Sequence, residues 1–497
     1  MNNGDIEHKA RDEKRQEKEI RDKWEWEEEL SHKESQWRTR KPVEDPKVTI
    51  SAFTETGREE SSIVVPLQCI YMGRKPVIPS ILAGTPCTTL GAQGLLDHLN
   101  STLGTSYSLD NPFLASILVE CMTNEYDVGM AYGCLRRIWY IDDWSTVRDV
   151  LWRWSGEDQK ERQEALIGNR IVNTDLQPWR MWDLYSNQVV PYWLMPLCCW
   201  PKLISHAWVD KKDRTAVWMP INYYAWPVPI PKNADLNLIH IEMLILGHEH
   251  VWLDVLCLRQ EGRLWEDLHA EEWRVDVPTI RHVYDEQCVV WYLSRLGRPL
   301  MLNDSNLESD QSWFRHAWML QEVGLERVIA GDTPDGPLHA KCKTELLTRF
   351  HEKLRHTDDS EWLYDALAEM RTWVSTNPVD KIAGLAFVTY SQWIPAYSES
   401  ASLEHAWMAL LDSMDGFSQV QLFFLCAELG DAGPKWRPSW HQITAAHTYP
   451  IPEDTYTLIC DEFDDLNEVL NVCIVGQSLP EGRFEKVSLV ETFGWNF

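Results

Sequence analysis

The sequence predicts an α/β fold built on a doubly wound parallel sheet, and three observations carry that expectation. Two apolar runs, KLIS at 202–205 and VWLDVLCL at 251–258, end abruptly in polar residues, as strands do when they deliver a site at their carboxyl ends. A third run, CVVWYL at 288–293, has the same strand character. Helical patterns separate and follow these runs: LNLIHIEMLIL at 236–246, the stretch from Val277 to about Glu286, and FRHAWMLQEV at 314–323. Strand alternating with helix implies parallel strands joined by right-handed crossovers.

Length and composition bound the surroundings of this core. A chain of 497 residues suggests about three domains. The expected division is a charged, solvated helix or disordered tail over 1–45, a mainly helical region over 46–196, the α/β core over 197–395, and an α+β region over 396–497. Apolar residues at 44% and charged residues at 25% are ordinary for a globular protein. A formal charge of −29 argues against a nucleic-acid surface and against a polybasic membrane anchor, since both need clustered Lys and Arg. The twelve cysteines form no CxxC pair, so reduced thiols in a cytoplasmic setting are expected. No run of about 18 uninterrupted apolar residues suggests a membrane span.

In chain order, the first forty residues mix both charge signs with almost no apolar stripe, which excludes a coiled coil. From Lys47 to about Leu90 the signals are strand and turn, including IPSILAGTPC. GLLDHLNSTL, FLASILVECM and CLRRIWYI then read as helices, the second starting at Asn111-Pro112. WSTVRDVLWRW reads as a helix capped by Ser145, and GEDQKERQEALI as a charged helix after it. The stretch 222–235 is too rich in proline for regular structure, and Gly247 suits the left-handed cap of the helix before it. TELLTRFHEKLRH, EWLYDALAEMRTWV and NPVDKIAGLAFV are expected to be helical, and the tail from about Lys435 has strand character.

The familiar catalytic signatures GxSxG, HExxH, GxxxxGK and GxGxxG are missing. Glu322 is the leading catalytic candidate. It lies four residues after Trp318, so on a helix the two share a face, and a carboxylate against an indole gains proton affinity. Such a group suits cleavage of a glycosidic bond through an oxocarbenium-like transition state. The alternative is a structural ion pair with Arg315 or Arg327. Asp254, inside an otherwise apolar strand, needs a partner and could orient a loop amide or a ligand hydroxyl. Ser205 and Trp208 could bind a ligand by hydroxyl and by stacking, although Ser205 could equally cap the following turn. Cys257 with His206 or His282 could make a nucleophile and base, although buried cysteines are usually inert. His248 and His250 could ligate a metal but lack a third ligand at helical spacing, so no metal is expected.

In combination these phrases resemble the fungal HET (heterokaryon incompatibility) domain family. The family pattern is matched by Ser205 and Trp208, then by Trp252, Asp254, Cys257 and Gln260, then by Trp313, Phe314, Trp318, Gln321 and Glu322. NPVDKIAGL at 377–385 resembles a later family element, and the whole resemblance covers about 200 to 390. Departures are His206 where Tyr is usual, Val209 where Gly is usual, CLRQ for CINQ, and His316 where Arg is usual. HET domains are similar in turn to TIR domains, and WMLQE resembles the phrase that carries the catalytic glutamate of NAD-hydrolysing TIR domains. The resemblance implies a TIR/flavodoxin-like core acting in fungal non-self recognition and programmed cell death. It implies NAD as a candidate substrate, with no bound cofactor, or else a non-catalytic self-association scaffold. Partners would be a second copy of the chain and a non-self recognition protein. In the enzymatic version Glu322 stabilises the ribosyl cation, Trp318 or Trp208 stacks the substrate, and Ser205 and Asp254 position ribose hydroxyls.

Overall fold

The computed structural model describes residues 77–445, apart from 196–199, 233, 263–265, 285–287, 299, 325, 332–336, 340–344, 360–362, 390, 392, 416–417, 420–421, 423–429 and 434–436. It adds two short antiparallel pairs, Val43–Glu44 with Met72–Gly73 and Ile474–Val475 with Ser488–Leu489. The readings for 1–42, for 45–71 and 74–76, and for most of 446–497 lie outside the described residues.

The architecture is mixed α/β around a six-stranded sheet. Its strands are β1 Arg180–Asp183, β2 Gln188–Pro191, β3 Lys202–His206, β4 His250–Leu253, β5 Cys288–Tyr292 and β6 Glu326–Ile329, in the order β6-β5-β3-β4-β1-β2. The pairs β4–β3, β3–β5 and β5–β6 are parallel. The sheet is not parallel throughout, because β1 joins β4 antiparallel and β2 returns against β1. An edge strand exposes unpaired N–H and C=O groups, and this hairpin covers the edge of β4. Its sequence, RMWDLYSNQVVP, belongs to the region expected to be mainly helical, so the sheet runs across the 196/197 boundary.

Apolar strand faces meet helices on a continuous core reaching from Val77 to Ile443. Trp139, Trp182, Trp252, Trp291, Trp313 and Trp407 are fully buried within it. Two buried ionic locks join the helical region to the sheet. Arg136 grips Asp183 at 3.1 Å and Glu249 at 2.7 Å, and Glu272 bridges Arg180 at 2.8 Å and Arg259 at 3.0 Å.

Several elements form where the sequence places them. Asn111 caps the helix Pro112–Thr123 by accepting from the Phe113 and Leu114 amides, and Gly247 takes φ 82° after the helix Leu236–Ile245. Others differ. IPSILAGTPC contains the helical turn Ser80–Ala83. The helix expected over CLRRIWYI begins earlier, at Val128, capped by Asp127, and stops at Leu135. The two helices around residue 150 are one, Val147–Ala165, and the Ser145 amide donates to Asp143 instead of its side chain capping. The proline-rich stretch includes the strand Val228–Pro231, antiparallel to Arg214–Val217; a two-stranded ladder has open outer edges where prolines lose no partner. Asp254 is not inside a strand, since β4 ends at Leu253 and Asp254 opens the helical turn to Cys257.

The largest departure concerns FRHAWMLQEV. It is not one helix but two 3-10 turns, Trp313–Arg315 and Met319–Gln321, separated by extended His316. Residues 316–317 pair instead with Val374: the Ala317 amide donates to the Val374 carbonyl, and the Val374 amide to that of Arg315. An isolated bridge to Val374 outcompetes the local helix for those backbone groups. Among the described residues no helix is long and apolar enough to cross a membrane.

Candidate functional site

The site lies at the carboxyl ends of β3 and β4. Register sets Ser205 beside Trp291 and His206 beside Tyr292 on β5. Ser205 is buried, and its hydroxyl is committed at both ends. The Trp313 indole N–H donates to it at 2.7 Å, and it donates to Glu322 Oε2 at 2.5 Å. Trp313 in turn packs on Trp291 with ring centroids 4.3 Å apart. Glu322 closes the turn Met319–Gln321, its amide donating to the Trp318 and Met319 carbonyls. The carboxyl group is therefore aimed from both sides.

A parallel pair stands alongside. Asp254 Oδ1 accepts the Val255 amide at 2.7 Å and lies 3.0 Å from His206 Nε2. The His206 ring stacks on Trp208 at 5.4 Å, and the Arg214 guanidinium lies 5.6 Å from the centre of the same indole. Trp208, Asp254, His316, Trp318 and Glu322 line one side of a cleft of about 540 Å³. Pro229 of the strand Val228–Pro231, Pro227 just before it, Trp273 and Tyr397 also line the cleft. A volume of this size suits a small-molecule ligand.

Electrostatics separate the two pairs. Burial first, and then the Asp254 charge, push the Glu322 carboxyl up to about 8, against the opposing pull of the Ser205 bond and of His206. Burial opposes the charged form of His206, but Asp254 beside it and Glu322 beyond it outweigh that, so its pKa is raised. His316 is pushed down to about 4 by burial and by the nearby His206. Near neutrality burial thus favours a protonated Glu322, beside a His206 whose charged form is favoured by Asp254.

The structure brings Glu322, Asp254, Trp208 and Trp318 together on the cleft and sets Ser205 behind Glu322 as its support. The alternative pairing of Glu322 does not occur: Arg315 binds Asp310 at 2.9 Å, and Arg327 lies over the Trp291 ring. Cys257 is buried and its thiol is pushed up to about 12 by that burial, unlike a thiolate nucleophile. His206 is spent on Asp254, and His282 lies 3.8 Å from Asp175. His250 opens β4 in the buried lock, 3.1 Å from Arg136, rather than on a loop. Among the described residues no cluster of three or more potential metal ligands forms. Sequence reasoning did not single out Lys211, Arg214, His316 or Tyr397 as site residues. Asp380, in the NPVDKIAGL phrase, also lines the cleft and accepts the Tyr397 hydroxyl at 2.5 Å. No family model, curated protein or solved structure matches the chain.

Proposed function

We propose that this chain is a HET-type protein of fungal non-self recognition and cell death, whose cleft hydrolyses NAD at the nicotinamide–ribose bond. The observation that carries the reading is the placement of Glu322. Its carboxyl group lines the cleft, is fixed by Ser205, and is held in reserve as an acid by burial. The order of the four parallel strands, second-first-third-fourth in sequence, supports a flavodoxin-like and hence TIR-like core, in which ligands sit at the carboxyl ends near the switch between β3 and β5.

The chemistry follows from the charges. A cationic pyridinium entering beside Glu322 favours the ionised carboxyl, so binding releases its proton. The C1′–N bond then breaks with its electron pair passing to the pyridinium nitrogen, which leaves as neutral nicotinamide. The ribosyl cation left behind is stabilised by the Glu322 carboxylate in a partly dry setting. Water adds to C1′ and gives up a proton to Glu322, which completes ADP-ribose. Trp318 offers the stacking surface for the leaving ring, since Trp208 already packs on His206. Asp254, on the cleft wall, faces the ribose hydroxyls.

The deciding measurement is nicotinamide release from NAD by the full-length protein and by Glu322→Gln, both checked for folding. Release by the wild type, reduced 100-fold or more in the folded variant (on the order of a lost electrostatic stabiliser), is the expected result. No release from concentrated wild-type protein would overturn the hydrolytic reading and leave the self-association scaffold.

A further inference from the structure

Two cationic side chains line the same cleft as Glu322. Lys211, in the turn Lys211–Asp213, and Arg214, which opens the strand Arg214–Val217, both line it. Neither forms an ion pair among the described residues. The neighbouring Asp210 is taken by Lys212 at 3.3 Å and by the Gln311 amide at 3.0 Å. Arg214 is also held in place: its backbone is in register with Pro231, and its guanidinium lies over Trp208, which is braced by His206. In a chain of net charge −29, two cations that form no ion pair among the described residues line a cleft whose carboxyl groups are Asp254, Glu261, Glu322, Asp380 and Glu399. A guanidinium and an ammonium presented together suit phosphate oxygens, which accept several charge-assisted hydrogen bonds.

We infer that Lys211 and Arg214 form a phosphate subsite, so that the cleft selects a phosphorylated nucleotide over the corresponding nucleoside. This rests on the reading of Glu322 as the residue that meets the glycosidic bond, and it adds the residues that set substrate class. Lys211 is exposed and Arg214 half-buried, so their removal should leave the fold intact.

The test compares full-length wild type, the double variant Lys211→Ala/Arg214→Ala, Arg214→Lys and Glu322→Gln. Nicotinamide release is measured from NAD and from nicotinamide riboside, and ADP-ribose binding by calorimetry. The preference for NAD over the riboside should fall about tenfold or more in the double variant, through KM, as expected for lost charge-assisted contacts. Arg214→Lys should recover part of it. ADP-ribose should bind wild type and Glu322→Gln but not the double variant. Unchanged KM for NAD and unchanged ADP-ribose binding in the double variant would overturn the subsite. ADP-ribose binding that needs Lys211 and Arg214, without nicotinamide release by wild type, would sustain the subsite and discard the hydrolytic reading. Absence of both binding and release would discard the two together.

Discussion

Glu322 owes its aim to a relay, Trp313 to Ser205 to the carboxyl oxygen, rather than to a helix of its own. The indole can only donate, so the Ser205 proton has one direction left, toward Glu322. That bond favours the ionised carboxyl and so works against the burial that raises it to about 8. Ser205→Ala should therefore move the acid limb of the pH–rate profile upward, on the order of one pH unit for a hydrogen bond to a charged group. An acid limb that stays in place, with activity otherwise preserved, would show that Ser205 does not tune Glu322.

At the scale of elements, the Glu322 turn is held by the helix Asp380–Leu385, which carries the DKIAGL of the NPVDKIAGL phrase. Gln321 donates to the Ala383 carbonyl at 3.0 Å, and a Cβ on Gly384 would stand 2.3 Å from the Ala317 carbonyl. Glycine is required there by close approach of backbone to backbone. Gly384→Ala should cost about 1–3 kcal/mol of stability by overpacking, read from denaturant unfolding. It should also lower nicotinamide release more than Arg315→Ala does, because it shifts the turn that carries Glu322. A Gly384→Ala protein of unchanged stability and activity would show that the contact is not needed. The same contacts explain why FRHAWMLQEV is not a continuous helix: its amides and carbonyls are claimed by Val374, a partner some 60 positions away that no local spacing reveals.

Across the whole molecule, buried titratable groups set the pH response. Burial is the leading cause that raises Asp127 to about 7, Glu242 to about 7 and Glu322 to about 8. Each keeps its proton in the folded state at pH values where the unfolded chain has released it, so stability falls as pH rises toward 8. His240, His250 and His316, lowered to about 4 chiefly by burial, act in the other direction, and stability falls as pH drops from the ordinary histidine value of 6.5 toward 4. The two sets oppose each other between about 4.5 and 6.5; above 6.5 the carboxyl groups act, joined in the same direction by His206, whose pKa is raised. The thermal midpoint is expected to decline from pH 6.5 to 8.5, and less steeply in Glu322→Gln. A midpoint that is flat or rising over that interval would contradict this account.

Much of the core was legible in the sequence because strand and helix periods are local properties. KLIS, VWL and CVVWY announced β3, β4 and β5 by unbroken apolar runs, and their polar ends pointed to Ser205 and Asp254. Asn111 and Gly247 announced helix ends because capping is a matter of a few adjacent residues. The spacing from Trp318 and the resemblance in motif order both point to Glu322, although the helix that the spacing assumes does not form. What only the tertiary structure decided is everything that depends on distant chain segments meeting. The hairpin Arg180–Pro191 turns a parallel sheet into a mixed one because β4 has an edge to cover. His206 becomes the partner of Asp254 because β3 and β4 lie side by side in register. Lys211 and Arg214 reach the cleft because the strand Arg214–Val217 pairs with the proline-bearing strand Val228–Pro231, and residues of both line it. Periodicity encodes which face of an element is buried, but the identity of the neighbour comes from packing, and charge and proton affinity in the cleft depend on that neighbour.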